Sequence, residues 1–492
     1  LKEFTRTLLC TVNPYTGMAL KDDPALITIS ILNENSMLIS LNTPLTVMKE
    51  QYLLAFDEYC RKQNRKVAEQ DFENEFNRFA LEIVYRNYYE DMVHFLRKEI
   101  GTKALLTDQN FVGYPNLVFQ REWYDFTDEH HYSGDSVLNN GFKVANGLAK
   151  RVFGKPFVVS ESGYTLPAPH RAEGGLTFPA IAAFQNWQGI YAFAHANRAD
   201  LVGSPLSGLE KYDRVNDPVR NIPERIACLI FLRGDVSPLT RSIVTTVGYE
   251  SSLIPFQRYY PDYTGAGVFG AKVGSMPANA ARPFPADAVA VADISKEFAN
   301  PAKLPVIGSM AELKTFAAAE KITLLGADKL TTPDGEVSAD LKSGIFKVVT
   351  PRTEGFFFKD KGGAAGNCLA VSSDSEALVA AGSLDGKELA ASERVLLVHV
   401  TDMENENTVY TDSTRRVVVK SVHKQRPVQI LFRAATAKIE FKTDLDAPKL
   451  YALDCGGKRL REIPYEKVSG RIRFNADTNC GGIACFAYEL TK

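Results

Sequence analysis

The sequence lacks the features that mark several large classes of protein. No apolar run in its 492 residues approaches the roughly 18 residues that a membrane-spanning helix needs. Basic residues are not in excess, because 57 Lys and Arg stand against 59 Asp and Glu, and no basic run appears. We therefore expect neither a membrane nor a nucleic acid among the partners of this protein.

Cysteine is sparse and irregularly placed. The seven Cys residues form no C-x-x-C pair and no spacing typical of zinc ligands. An odd number fits scattered free thiols better than a disulfide framework, although Cys480 and Cys485 are near enough in sequence to pair locally. The first residues, Leu1 to Phe4, contain neither an initiator Met nor a signal peptide. We interpret the chain as processed or truncated, so this end indicates no compartment.

What is present is the composition of a globular protein with more than one domain. Hydrophobic residues make up 45% and charged residues 24% of the chain, which is typical of soluble globular proteins. A length of 492 residues predicts two or three domains.

A short apolar run that ends on a carboxylate is the first candidate for chemistry. Residues 156–163 read Pro-Phe-Val-Val-Ser-Glu-Ser-Gly, which predicts a buried parallel strand that ends at Glu161. In a (β/α)8 barrel, the reacting groups lie at the carboxyl ends of the strands. Glu161 is therefore either a catalytic carboxylate or a charge that caps the following segment.

A second strand-terminal carboxylate comes earlier in the chain. Ile27, Ile29 and Ile31 alternate in a β-branched stretch that leads to Asn33 and Glu34. Two such carboxylates suit glycoside hydrolysis with retention, which needs an acid/base and a nucleophile about 5–5.5 Å apart. The alternative is that residues 33–34 merely cap the next helix.

A cluster of acidic and imidazole groups lies between these two strands. Residues 123–132 predict another strand, in which His130 and Tyr132 share one side while His131 points to the other. Two neighbouring His side chains on an extended segment do not readily share an ion. We therefore predict no metal site here.

Further polar residues follow two other predicted strands. Asn110 ends the strand predicted for residues 103–110, where it either faces a substrate or forms a turn. A last strand is predicted over residues 184–195, with Trp187 near its beginning and His195 at its end. His195 is a candidate residue of the rim.

These residues and their order resemble the clan A glycoside hydrolases. In that clan an Asn-Glu pair ends the fourth barrel strand, and a second Glu ends the seventh. The run from Asn13-Pro14-Tyr15-Thr16-Gly17 through Asp23-Pro24 to Asn33-Glu34-Asn35 looks like a subset of large, mostly bacterial members in which β-rich domains follow the barrel.

The resemblance implies a role for each candidate residue. Glu34 would be the general acid/base and Glu161 the nucleophile. Asn33 would bind the sugar 2-hydroxyl. His130 and Tyr132 match a His-x-Tyr pattern at the sixth strand, in which the Tyr hydroxyl touches the nucleophile. Trp187 would be the sugar platform, or it packs in the core, since it precedes the end of its strand.

The implied fold is a (β/α)8 barrel followed by antiparallel β-sandwich domains. We predict the C-terminal part of the barrel over residues 1–262, a linking β-rich segment over 263–340 and a β-sandwich over 341–492. The strands found correspond to the fourth to eighth of a barrel, and five strands cannot close one. The first three are expected from an N-terminal polypeptide or second chain, unless they were lost in evolution.

The sequence is compatible with two functions. The resemblance implies a retaining glycosidase that cleaves β-linked poly- or oligosaccharides, needs no cofactor and is secreted or periplasmic. The alternative is a non-catalytic carbohydrate-binding or scaffolding remnant of the same fold.

Overall fold

The structure is a computed structural model. It describes residues 1–35, 46–111, 117–139, 151–202, 208–253, 268–280, 285–293, 305–406, 408–412, 415, 418–420 and 428–492. Among these residues, the fold is mixed α/β in the first half and dominated by antiparallel sheets in the second.

Five short strands of the first half run parallel to one another. The strands are β1 (Thr28–Ser30), β2 (Leu105–Thr107), β3 (Thr127–Ser133), β4 (Phe157–Tyr164) and β5 (Gly189–Ala192). β1 pairs with β2, and β4 lies between β3 and β5. Backbone hydrogen bonds from Asp125 to Leu106 and from His130 to Asn110 join β2 to β3. The five strands therefore follow one another in space as in sequence.

Helices lie between these strands, and amphipathic sequences form them. Aromatic residues at helical spacing, among them Phe56, Phe76 and Phe79, pack together as predicted, while charged residues remain outside. The α-helices, numbered α1 to α10 in chain order, are Lys2–Cys10, Thr46–Lys62, Phe72–Phe79, Arg86–His94, Val118–Arg121, Gly174–Phe184, Pro218–Asn221, Pro223–Phe231, Tyr249–Ser252 and Met310–Ala319. Two π-helical turns, Ala80–Tyr85 and Phe95–Ile100, flank α4.

Strand boundaries differ from the predicted ones where turns intervene. β1 ends at Ser30, so Glu34 lies in a turn four residues beyond it rather than at the strand end. The strand predicted over residues 184–195 is β5 alone, because α6 extends to Phe184. Apolar residues 178–184 are all buried, as a helix between two layers requires, and apolarity alone does not distinguish such a helix from a strand.

A mixed sheet connects the two halves. Its strands, in spatial order, are Val306–Ile307, Val289–Asp293, Arg241–Val247 and Lys272–Pro277. The last two strands are parallel and the other pairs antiparallel. Its strands come from both sides of residue 262, the predicted first domain boundary, which itself lies outside the described residues.

The described residues of the second half form a nine-stranded and a five-stranded antiparallel sheet. The larger has nine strands in the order Lys329–Thr331, Val337–Asp340, Ile345–Val349, Thr353–Phe358, Ala377–Ser383, Arg394–Val400, Ala487–Thr491, Lys449–Leu453 and Arg459–Glu462. The smaller has five in the order Gly362–Ala365, Leu369–Ser373, Thr436–Lys442, Arg471–Asp477 and Glu466–Val468. Short two-stranded ladders pair Val268–Phe269 with Thr323–Leu324, Met403–Asn405 with Ile430–Phe432, Val409–Tyr410 with Val418–Lys420, and Asn479–Cys480 with Ile483–Ala484.

The two faces of the large sheet have different partners. On one face, Phe356, Phe358 and Val379 pack against Ile439 and Phe441 of the five-stranded sheet, which makes a β-sandwich. On the other face, alternate residues pack in a core that includes α6 and α8. The sandwich is thereby held directly on the α/β half.

The structure contains no disulfide bond among the described cysteines and no membrane-spanning helix among the described residues. All seven cysteines are free, including Cys480 and Cys485. Among the described residues, no helix is both long and apolar enough to cross a membrane.

Candidate active site

Two carboxylates and one imidazole meet beside the parallel strands, with His130 inside β3 and Glu161 inside β4. The His130 Nδ1 atom lies 3.1 Å from Glu34 Oε1 and 3.5 Å from Glu161 Oε2. One donor atom from each of the three groups lies within 4.8 Å of the others. The residues come from β3, from β4 and from the turn after β1, so three segments distant in the sequence meet at one place.

The register of β3 and β4 sets the positions of Glu161 and Tyr132. An irregularity in the ladder places His130 opposite Glu161. The Tyr132 hydroxyl, two residues further on the same face of β3, donates to Glu161 Oε2 over 2.5 Å. Burial and the Glu161 charge raise the pKa of Tyr132 well above its ordinary value. The phenol thus remains a hydrogen-bond donor to the carboxylate.

The residues on either side of His130 in β3, Glu129 and His131, point away from the cluster. Glu129 pairs with Arg121 over 2.7 Å, and the His131 ring packs edge-on against Phe178 of α6. His130 and His131 therefore do not converge on one ion, as the alternation of a strand predicts.

Glu34 is held from the end of the neighbouring strand. Asn110, which follows β2, accepts a hydrogen bond from the Glu34 backbone N–H over 2.8 Å. The Asn110 amide donates to Asp128 over 3.2 Å, and Asp128 accepts from the Ser160 hydroxyl over 2.7 Å. Asn110 is almost fully buried, so in this structure it positions the site backbone rather than facing solvent.

Two buried carboxylates next to the cluster, Asp108 and Asp128, were not among the site residues predicted from the sequence. Asp108 accepts a hydrogen bond from Asn35, the residue after Glu34, and Asp128 bonds to both Asn110 and Ser160. Burial raises the pKa of both carboxyl groups, that of Asp108 to about 6. Asp108 lies near the carboxyl end of the strand predicted over residues 103–110, which is the signal that would have identified it, whereas Asp128 lies inside the strand predicted over residues 123–132 and gives no such signal.

Three predicted substrate-binding residues are not brought into this cluster. Trp187 is only 7% exposed and packs against Phe157 at the opposite, amino-terminal end of β4, which makes it a core residue rather than a platform at the rim. His195 is exposed, three residues after the end of β5, and its carbonyl accepts from two backbone N–H groups. Asn33 is exposed on the turn beside Glu34.

Glu34, His130 and Glu161 form the only set of His and acidic side chains, in the described parts of the chain, that is close enough to hold a metal ion. Their arrangement also suits acid–base and nucleophilic chemistry: one carboxylate bonded to a phenol, and a second, more exposed carboxylate beside the same imidazole. The exposed fractions of the side chains are 43% for Glu34 and 16% for Glu161.

Comparison with known proteins gives only distant structural neighbours. No family model matches the chain, and no curated protein matches it. Two endo-β-1,4-mannanase structures from Thermotoga petrophila align at 15% and 14% identity with TM-scores of 0.28 and 0.32. These alignments cover 46% and 50% of this chain, which spans 64% and 54% of theirs. A rhamnosidase from Novosphingobium sp. PP1Y aligns at 10% identity and a TM-score of 0.25, covering 85% of this chain and 39% of the rhamnosidase.

Proposed function

We propose that this protein is a glycoside hydrolase that cleaves β-linked poly- or oligosaccharides with retention of configuration. The observation that carries the proposal is the short distance between the Glu34 and Glu161 carboxylates. One oxygen of each lies within 4.8 Å of the other, and both lie beside the His130 ring. Retaining enzymes place their two carboxyl groups about 5–5.5 Å apart, whereas inverting enzymes leave about 6.5–9.5 Å for a water molecule.

Glu161 is the nucleophile in this proposal. Its carboxylate attacks the anomeric carbon and forms a glycosyl–enzyme bond as the bond to the leaving oxygen breaks. The Tyr132 hydroxyl orients the carboxylate and stabilises its charged form through a hydrogen bond of 2.5 Å. The lower exposure of Glu161 keeps competing water from the attacking oxygen.

Glu34 is the general acid and then the general base. As the acid it gives its proton to the leaving oxygen, and in the second step it takes a proton from the water that releases the sugar. Its larger exposure suits a group that must reach a departing alcohol and then an entering water. His130 lies between the two carboxylates, with its Nδ1 atom 3.1 Å from Glu34 and 3.5 Å from Glu161.

The strands β1 to β5 are, in this proposal, the fourth to eighth strands of a (β/α)8 barrel. In the part of the chain that the structure describes, β1 pairs only with β2 and β5 only with β4. Exposed large side chains lie at both outer edges, where Ile27, just before β1, is 69% exposed and Tyr191 of β5 is 57% exposed. Bare apolar edges of this kind are normally covered in soluble proteins. We propose that further parallel strands, from another segment or a second chain, pair with these edges.

The same open edges favour a second candidate function. Without walls on both sides, the cleft would bind a carbohydrate without cleaving it, as a non-catalytic scaffold of the same fold. This alternative predicts affinity for oligosaccharides that does not depend on Glu161.

Hydrolysis of a panel of aryl β-glycosides separates the two functions. Wild type should release the aryl alcohol and form the β-anomer first in proton NMR spectra, whereas Glu161→Ala should be inactive. With added azide, Glu161→Ala should form the α-glycosyl azide, because azide fills the space of the lost carboxylate. The matched control is Glu462→Gln, which changes an exposed carboxylate of the large sheet. Equal hydrolysis by wild type and Glu161→Ala would remove Glu161 from the nucleophile role.

A further inference from the structure

The carboxylate of Glu34 is carried by an exposed turn, not by a strand. The residue has a φ of 51°, in the left-handed region that residues other than Gly, Asn and Asp seldom adopt. Its side chain is also the more exposed of the pair. A catalytic group that must remain beside His130 therefore needs support from outside its own segment.

That support comes from the residues that follow β2. Asn110 accepts a hydrogen bond from the Glu34 backbone N–H, and Asp108 Oδ2 accepts one from Asn35 Nδ2, both over 2.8 Å. Two consecutive residues of the turn are thus bonded to two side chains of one neighbouring strand end. The separation in sequence exceeds 70 residues for both bonds.

Asp108 is an unusual group for this position. It is 1% exposed, and the donors that reach it from the described residues are neutral: the phenols of Tyr85 and Tyr124 at 3.3 and 3.4 Å, and the backbone N–H of Gln109 at 2.9 Å. The Tyr88 phenol faces it as well. A buried carboxylate that is not paired with a cation lowers the stability of the fold, so the presence of Asp108 here calls for a reason other than packing.

We propose that Asp108 is a positioning residue for Glu34: its charged hydrogen bond to Asn35 holds the turn so that the Glu34 carboxylate lies against His130. This inference rests on the proposed function, in which Glu34 is the acid/base. Hydrogen bonds to an ionised acceptor are about twice as strong as neutral ones, which suits a contact that must help to hold an exposed turn. Asp108 touches no reacting atom and acts through Asn35.

The pKa of Asp108, which burial raises to about 6, adds a pH dependence to this support. Above pH 6 the carboxylate is charged and holds Asn35. As the pH falls through 6 the group becomes neutral, and the charged hydrogen bond is lost. The groups that face it are the phenols of Tyr85, Tyr88 and Tyr124, and the pKa of each is raised, so they remain neutral in this range.

The test compares Asp108→Asn with Asp125→Asn. Asp125 is the control, a carboxylate outside the cluster that accepts bonds from the Leu106 N–H of the same strand and from Arg97. We expect Asp108→Asn to lower kcat about 10- to 100-fold with little change in KM, since misplacement of a catalytic group by about 1 Å costs up to about 100-fold. The advantage of wild type over Asp108→Asn should shrink as the pH falls through 6. Asp125→Asn should keep the wild-type kcat.

A second measurement needs no activity. The imidazole nitrogen resonances of His130 in ¹⁵N-labelled protein report whether the Glu34 carboxylate is in place, because Oε1 lies 3.1 Å from Nδ1. Asp108→Asn and Asn35→Ala should both shift these resonances, and Asp125→Asn should not. If the protein hydrolyses no glycoside, the resonances still decide the inference on their own. Unchanged His130 resonances in Asn35→Ala would overturn it, even if Asp108→Asn failed to fold.

Discussion

The phenol of Tyr132 shows how much one residue contributes to the proposed chemistry. Its hydroxyl donates to Glu161 Oε2, and the aromatic rings of Phe193 and Tyr212 pack against it. Those contacts fix the ring, so the hydroxyl is already aimed at the carboxylate before any substrate binds. Preorganised donors of this kind lower the cost of reaching the transition state.

Replacing Tyr132 with Phe should remove the donor and keep the packing. A hydrogen bond to a charged group contributes about 1.5–3 kcal/mol, so we expect kcat/KM to fall about 10- to 100-fold. The thermal midpoint should change little, because the ring contacts remain. Steady-state kinetics on an aryl β-glycoside, with Tyr465→Phe in the distant sandwich as the control, would check this; equal losses in both variants would contradict the role.

At the scale of one element, the start of α6 is held by a buried acid. Glu173 precedes the helix and accepts hydrogen bonds from the Ser136 hydroxyl, the Val137 N–H and the Tyr164 hydroxyl. Burial raises its pKa to about 7, although these donors lower it. The folded protein therefore binds a proton here that the unfolded chain releases at a lower pH.

This proton makes stability depend on pH in a definite direction. Because the pKa of Glu173 is higher in the folded state, its contribution is complete below the unfolded value of 4.5 and is lost as the pH rises through about 7. Glu173→Gln, which cannot titrate, should gain stability relative to wild type between these pH values, by on the order of 3 kcal/mol. Urea unfolding at several pH values measures this. The exposed variant Glu466→Gln should follow wild type throughout, and a parallel curve for Glu173→Gln would refute the assignment.

At the scale of the whole molecule, a buried charge network joins the α/β half to the sandwich half. Arg171 donates to Asp217 over 2.9 Å, to Asp402 over 2.6 Å and to the Met403 carbonyl. Asp217 belongs to the first half and Asp402 to the second, so one guanidinium spans the junction. The sandwich therefore serves as a rigid brace for α6 and α8, which lie behind β4 and β5.

Arg171→Met should destabilise the whole protein. It leaves the Asp217 and Asp402 carboxylates partly unpaired in the interior, and breaking a buried pair costs about 3–5 kcal/mol. The exposed pair of Arg473 with Glu440 is the control, since Arg473→Met should cost about 1 kcal/mol or less. Denaturant unfolding followed by fluorescence compares the two. Similar costs would show that the junction does not depend on Arg171.

Local patterns in the sequence were enough to predict strands such as β4 and to predict which side chains share a face of a strand. The apolar run before Glu161 predicts β4, and the confirmed strand is Phe157–Tyr164. The period of two in a strand separates His130 and Tyr132 from His131, as the structure also shows. Turn-bounded apolar segments likewise predict antiparallel strands in the second half, because a strand's signal is confined to a few neighbouring residues, but the central strands Thr353–Phe358 and Ala377–Ser383 were not among those predicted.

What only the tertiary structure decided depends on contacts between distant residues. Glu34 lies on a turn held by Asp108 and Asn110, and Trp187 lies in the core against Phe157. No local pattern reports such pairings, since they depend on which strand ends become neighbours and on what burial does to a carboxylate. By itself the sequence determined which segments carry the two candidate carboxylates and the imidazole; the packing of those segments determined that Glu34, on a turn, and Glu161, within β4, meet at His130.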